Sequence, residues 1–159
     1  MTERIKSRGV LHYVPTGALL VALLALAGCA LTAAPDSANG TRDVLATRLT
    51  EARQAQQAAL TLWDRIIFGE QVTCQEAIPT PELLALRDHD VRAHPDAQAI
   101  QDELNAAIQA IHNSSDLWNI ECASETPYVS LSMARAGRAN ALAATESLDA
   151  AAALLAGWR

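Results

Sequence analysis

Along most of the chain, apolar residues return every three or four positions. Short runs rich in proline, glycine and small polar residues separate these stretches. From Arg42 to Phe68, residues Leu45, Leu49, Ala52, Ala59, Leu60, Trp63, Ile66 and Ile67 fall on one helical face. Thr41 is placed to cap this helix, and Gly69 to end it in the left-handed conformation. A second helix is predicted from about Pro95, with His94 held extended before the proline. Its stripe is Ile100, Leu104, Ala107, Ile108, Ile111, Ser115 and Trp118, and the weak helix formers at 112–116, "HNSSD", predict a kink or fraying. A third helix follows Pro127 with Ser130 as its cap, and carries Leu131, Ala134, Ala141, Leu142, Thr145, Leu148, Ala152 and Leu155. Gly157 ends it, and "TES" at 145–147 is a place where it could divide. Residues 70–94 connect the first two helices. There Thr80-Pro81-Glu82 signals a helical turn or two, buried through Leu83, Leu84 and Leu86.

The first 28 residues follow another pattern. Arg4, Lys6 and Arg8 precede an apolar run from Ala18 to Ala27, the charged and apolar regions of an export signal. The segment Leu26-Ala27-Gly28-Cys29 resembles the bacterial lipobox at all four positions. That resemblance implies cleavage before Cys29 and lipidation of its thiol, with two or more acyl chains giving a stable anchor. The alternative is an uncleaved span. The fourteen residues from Ala18 to Leu31 fall short of the roughly 20 that crossing a bilayer takes. The expected organisation is therefore a signal peptide at 1–28, a lipidated Cys29 with a flexible tether through 41, and a helical domain over 42–159. Ala30, rather than aspartate, follows Cys29, so the resemblance to an inner-membrane retention signal is not met. Beyond the lipobox, the domain resembles only uncharacterised helical bacterial lipoproteins.

Composition supports helices over sheets, because the chain is 50% hydrophobic but only 4% aromatic. The net charge of −6 leaves no electrostatic footprint for nucleic acid. Without residues 1–28, nine arginines face 17 acidic residues, a net of 9 − 17 = −8, which disfavours lying on an anionic bilayer. The sequons at Asn39 and Asn113 read as turn or cap chemistry in a bacterial chain.

Export makes a disulfide the expectation for Cys74 and Cys122, two buried thiols being the alternative. Both cysteines follow the ends of helices about 37 Å long, and a disulfide brings its Cα atoms to about 4.4–6.8 Å. A disulfide thus requires the first two helices to run parallel, with 70–94 returning along the bundle and the third helix antiparallel. The predicted fold is an all-α three-helix bundle with a partly helical crossover arm, close to a four-helix arrangement. Trp63, Phe68, Trp118 and Tyr128 then gather at the disulfide end, as a core plug or as a partner-binding cap.

No nucleophile, phosphate-loop, dinucleotide or metal motif occurs. His89, Asp90, His94 and Asp96 are the best metal candidates, but their spacing favours capping and turns, so no metal or cofactor is expected. His112 borders the second stripe. Arg138 falls on the third, either with a buried stem or as an inward anion-binding group. The function expected is a non-catalytic binding or adaptor module, anchored to the membrane through Cys29 and facing outside the cytoplasm, at the periplasm or cell surface. Its partner would be an envelope protein or a small ligand, and not nucleic acid. A structural or assembly role in the envelope is the alternative, and an enzyme or metal-binding protein is ranked below both.

Overall fold

The computed structural model describes residues 37–124 and 128–158. It contains four helices: α1 (Ser37–Ile67), α2 (Asp88–Ala93), α3 (Asp96–Cys122) and α4 (Leu131–Ala156). Among the described residues there is no strand. Cys29 and the lipobox lie outside them.

The disulfide joins Cys74 to Cys122 with Cα atoms 5.5 Å apart. The C-terminal ends of α1 and α3 therefore meet, and the two helices run parallel, as the cysteine geometry requires. Helix α4 returns antiparallel to both. Against α1 it pairs Arg53 with Asp149, Gln56 with Thr145, and Asp64 with Arg138. Against α3 it pairs Ser114 with Gly137, and Asn140 with the Asn113 carbonyl.

Helix α1 begins five residues before the expected start, so 37–41 are helical rather than tether. Thr41 is not a cap. It is buried inside the helix, and its hydroxyl is hydrogen-bonded with Asp90 at the start of α2. The end of α1 is as expected. Gly69 adopts φ +84°, its N–H donates to the Ile66 carbonyl, and the Glu70 N–H donates to the Arg65 carbonyl. These two bonds form a Schellman stop that satisfies the last free carbonyls.

The connection differs from expectation. Residues 81–86 are not helical, and the short helix forms later, at Asp88–Ala93. The reason lies in the side chains of α3, which take the backbone groups that a helical turn would have used internally. Trp118 Nε1 donates to the Glu76 carbonyl at 2.7 Å, and His112 Nε2 to the Pro81 carbonyl at 2.8 Å. Asn105 accepts from the Leu84 N–H and donates to the Leu84 carbonyl, while Gln101 accepts from the Leu86 N–H. The segment is thus an extended strap running antiparallel to α3. Its side chains alternate, with Leu83 and Ala85 outward, Leu84 buried and Leu86 half-buried, the period of two of an extended chain.

Neither expected weak point interrupts its helix. Helix α3 runs through 112–116 with Ser114 and Ser115 buried, and α4 runs through 145–147. Every residue of the predicted α3 stripe is buried. The α4 stripe is shifted: its buried positions are Ala134, Gly137, Ala141, Ala144, Leu148 and Ala151, a 3-4-3-4-3 spacing of mostly small residues. Leu131 and Leu142, expected inside, are exposed. Small side chains let α4 approach its neighbours closely, and of its leucines only Leu148 is buried while Leu131, Leu142 and Leu154 are exposed. Ser130 caps α4 as expected, accepting from the Met133 N–H.

At the opposite end from the disulfide, α2 is fixed through Asp90. Its buried carboxylate accepts from Arg87 at 2.9 Å and lies 3.0 Å from His89 Nε2. The Arg87 hydrogen bond is the largest cause holding the Asp90 pKa below its ordinary value, with His89 and Thr41 adding to it against the effect of burial. A lowered folded pKa means that the contribution is complete above the unfolded value of about 3.9 and is lost as pH falls through the folded value. Denaturant titrations at pH 7, 4 and 3 are expected to show wild-type stability falling over the acid step. The Asp90→Asn variant should lose less over that step, and equal slopes would show that Asp90 carries none of it.

Candidate functional site at the disulfide end

Three local devices build this end. The Schellman stop turns the chain at Gly69, and Arg65 then holds the turn, donating to Glu76 at 2.5 Å and to Glu70 at 2.9 Å. Both carboxylates raise the Arg65 pKa above its ordinary value, the hydrogen bond to Glu76 contributing most. The disulfide and the Trp118 bond to Glu76 tie the same loop to α3. Glu121 accepts from the Tyr128 N–H and fixes the entry to α4.

The four aromatic residues assigned to the cap separate into two pairs. Trp63 and Trp118 are core residues, at 0% and 3% exposure, in edge-to-face contact with centroids 6.0 Å apart. Burial takes Trp63 away from the surface, whereas Trp118 keeps an edge on the groove at this end. Phe68 and Tyr128 are 82% and 79% exposed. The loop after α1 and the start of α4 enclose a groove of about 490 Å³, lined by Ile66, Gly69–Cys74, Trp118, Tyr128 and Val129.

Beneath the groove lies a polar relay that the hydrophobic pattern did not reveal. Trp63 Nε1 donates to Ser114 Oγ at 2.8 Å, and that hydroxyl donates to the Gly137 carbonyl at 2.9 Å. All three helices of the bundle meet in these two bonds. Ser114 sits three residues after Ile111 and four before Trp118, and Gly137 three after Ala134 and four before Ala141. The stripe spacing was thus the available signal, masked by residue types that count as polar or helix-breaking. The Ser114→Ala variant leaves the buried indole N–H without an acceptor. It is expected to lower stability by about 1–2 kcal/mol in urea unfolding, and an unchanged midpoint would show that the relay contributes nothing.

The remaining candidates are dispersed. His89 sits beside Asp90, whereas His94 packs on Trp158 with ring centroids 5.3 Å apart. Among the described residues no group of three or more His, Cys, Asp or Glu could hold a metal ion. His112 is a boundary residue bound to the strap. Arg138 is half-exposed and directed to Asp64 on α1, so it does not enter the core as an anion site. Helix α4 instead presents Gly137, one residue earlier, to the interior. No helix among the described residues is long and apolar enough to cross a membrane.

No protein-family model, curated protein or solved structure matches the chain.

Proposed function

We propose that the protein is a bacterial lipoprotein of the cell envelope, anchored through Cys29, whose helical domain serves as a non-catalytic binding or adaptor module. The observation that carries this reading is Leu26-Ala27-Gly28-Cys29, placed after a basic start and a short apolar run. The Cys74–Cys122 bond supports an oxidising compartment, where such bonds persist. The groove lies at the C-terminal end of α1, a helix about 46 Å long for its 31 residues, and the proposed anchor precedes that helix in the sequence.

Metabolic labelling with an alkyne fatty acid in a bacterial host tests the anchor. The wild-type chain is expected to take up label and to fractionate with membranes. The Cys29→Ala variant keeps the disulfide pair, and should lose both label and membrane association. Label retained in that variant would remove the basis of the proposal.

A further inference from the structure

We propose that the groove at the disulfide end binds a partner protein's segment in which a bulky apolar side chain lies beside lysine or arginine. This rests on the adaptor reading above and specifies the partner's chemistry.

The apolar half of the argument is the shape and composition of the groove. Ile66, Val72 and Val129 contribute to its apolar walls together with the nearly buried Trp118 and the exposed ring of Tyr128, and the exposed Phe68 immediately precedes the lining residue Gly69. These rings are the two most exposed large hydrophobic residues of the described chain, and the groove's roughly 490 Å³ accommodates a side chain with adjoining backbone. Aromatic residues around a concave surface are the common composition of interface anchor sites. The walls are also held in place before anything binds. The disulfide, the Gly69 stop, the Arg65 bridge to Glu70 and Glu76, and the Glu121 bond to Tyr128 each tie down backbone at this end. A partner therefore meets a formed surface and bears little ordering cost from this side.

The charged half identifies the occupant. Among the lining residues the only formal charge is the Glu70 carboxylate. That carboxylate shares Arg65 with Glu76, so the three groups together carry a net charge of −1. Over the segments that form this end (64–76, 116–122 and 128–138), Asp64, Glu70, Glu76, Asp116 and Glu121 stand against Arg65, Arg135 and Arg138, a net of 3 − 5 = −2. A second copy would bring the same negative end to the interface, and an anionic lipid surface would be repelled likewise. A basic segment is attracted, and such complementarity acts on both encounter rate and partner choice.

The test is photo-crosslinking in intact cells producing the full chain, with a benzophenone amino acid at Gln71, an exposed lining residue, and sequencing of the attached peptide by mass spectrometry. The expected attached segment carries a Leu, Ile, Met, Phe, Tyr or Trp within three positions of a Lys or Arg. Its yield should fall about fivefold or more with Glu70→Lys and with Tyr128→Ser. Both changes are at exposed positions; Glu70→Lys gives up one bond from Arg65 while the bond to Glu76 remains, and an intact disulfide with unchanged helicity verifies folding. Attachment to a second copy, attachment to an acidic or wholly polar segment, a yield insensitive to Glu70→Lys, or no attachment in folded protein would each overturn the proposal. Fatty-acid labelling of the same cells separates this result from the anchoring proposal. A labelled protein with a failed groove overturns only the surface, whereas loss of label overturns the anchor.

Discussion

Replacing Gly137 by alanine is expected to destabilise the protein by about 2–3 kcal/mol, the reverse of the usual effect of that change inside a helix. Glycine in a helix interior normally costs about 1 kcal/mol relative to alanine, so the substitution ought to stabilise α4. Here the added Cβ would lie 2.2 Å from Cε2, 2.4 Å from Cζ2 and 2.8 Å from Cδ2 of Trp63. The indole has little room to yield, being fully buried, tied to Ser114 through its N–H and packed against Trp118. Overfilling a packed core costs about 1–3 kcal/mol and sometimes more, and a rigid ring places this site at the upper end. Urea unfolding of Gly137→Ala reads the effect directly, and a gain in stability would show that the ring adapts. In a double-mutant cycle with Trp63→Leu, most of the loss should disappear, because the obstructing ring is gone.

The second large effect is expected from the disulfide. Replacing Cys74 and Cys122 together by serine opens a loop of 48 residues, for which chain entropy predicts a loss of about 4 kcal/mol. Local consequences should follow the pinning of the strap. Near the cysteines, Trp118 and Arg65 remain to hold Glu76, whereas Asn105 and Gln101 hold the far part at Leu84 and Leu86. Hydrogen exchange is therefore expected to speed up most over 69–78, with protection kept over 84–86. Uniform loss along the strap would show that the covalent bond, not the side chains of α3, holds it extended. A stability change below about 1 kcal/mol would mean that the reduced chain is already constrained in the same way.

Much of the architecture was legible because helix periodicity and cysteine placement are local and arithmetic properties. The α3 stripe could be read residue by residue, since isoleucine, leucine and tryptophan at a 4-3 spacing leave one face to bury. The parallel course of α1 and α3 followed from where two cysteines stand relative to two helix ends. Gly69 was legible as a stop because glycine readily takes a positive φ. The misread places share a cause. The expected stripe of helix α4 is one residue off around Arg138 and includes Leu131 and Leu142, whereas the inner face is alanine and glycine apart from Leu148. The "HNSSD" stretch read as weak helix, yet Ser114 is buried there because another helix supplies its indole donor. Thr80-Pro81-Glu82 carried a sound local start signal, which Asn105 and Gln101 overrode by capturing the backbone of residues 84 and 86.

The candidate site divides in the same way. The sequence placed Trp63, Phe68, Trp118 and Tyr128 at one end but could not separate core rings from exposed ones. That separation depends on which side of each helix the third partner occupies. Trp63 faces α3 and α4, whereas Phe68 has already left the helix at its Schellman stop and points to solvent.

By itself, then, the sequence determined the helical class, while the parallel helices and the returning arm followed only from the expectation that Cys74 pairs with Cys122. The helices rest on backbone propensity and side-chain periodicity, and their parallel course on chain length given that pairing, none of which needs knowledge of what lies across the interface. The tertiary structure alone decided that the arm is an extended strap, that Gly137 and Ser114 form the centre of the core, and that two aromatic rings remain outside. These outcomes depend on the volumes and hydrogen-bonding groups presented by residues from 15 positions away (Gln101 at Leu86) to 74 (Trp63 at Gly137). Such groups become neighbours only when the helices pack.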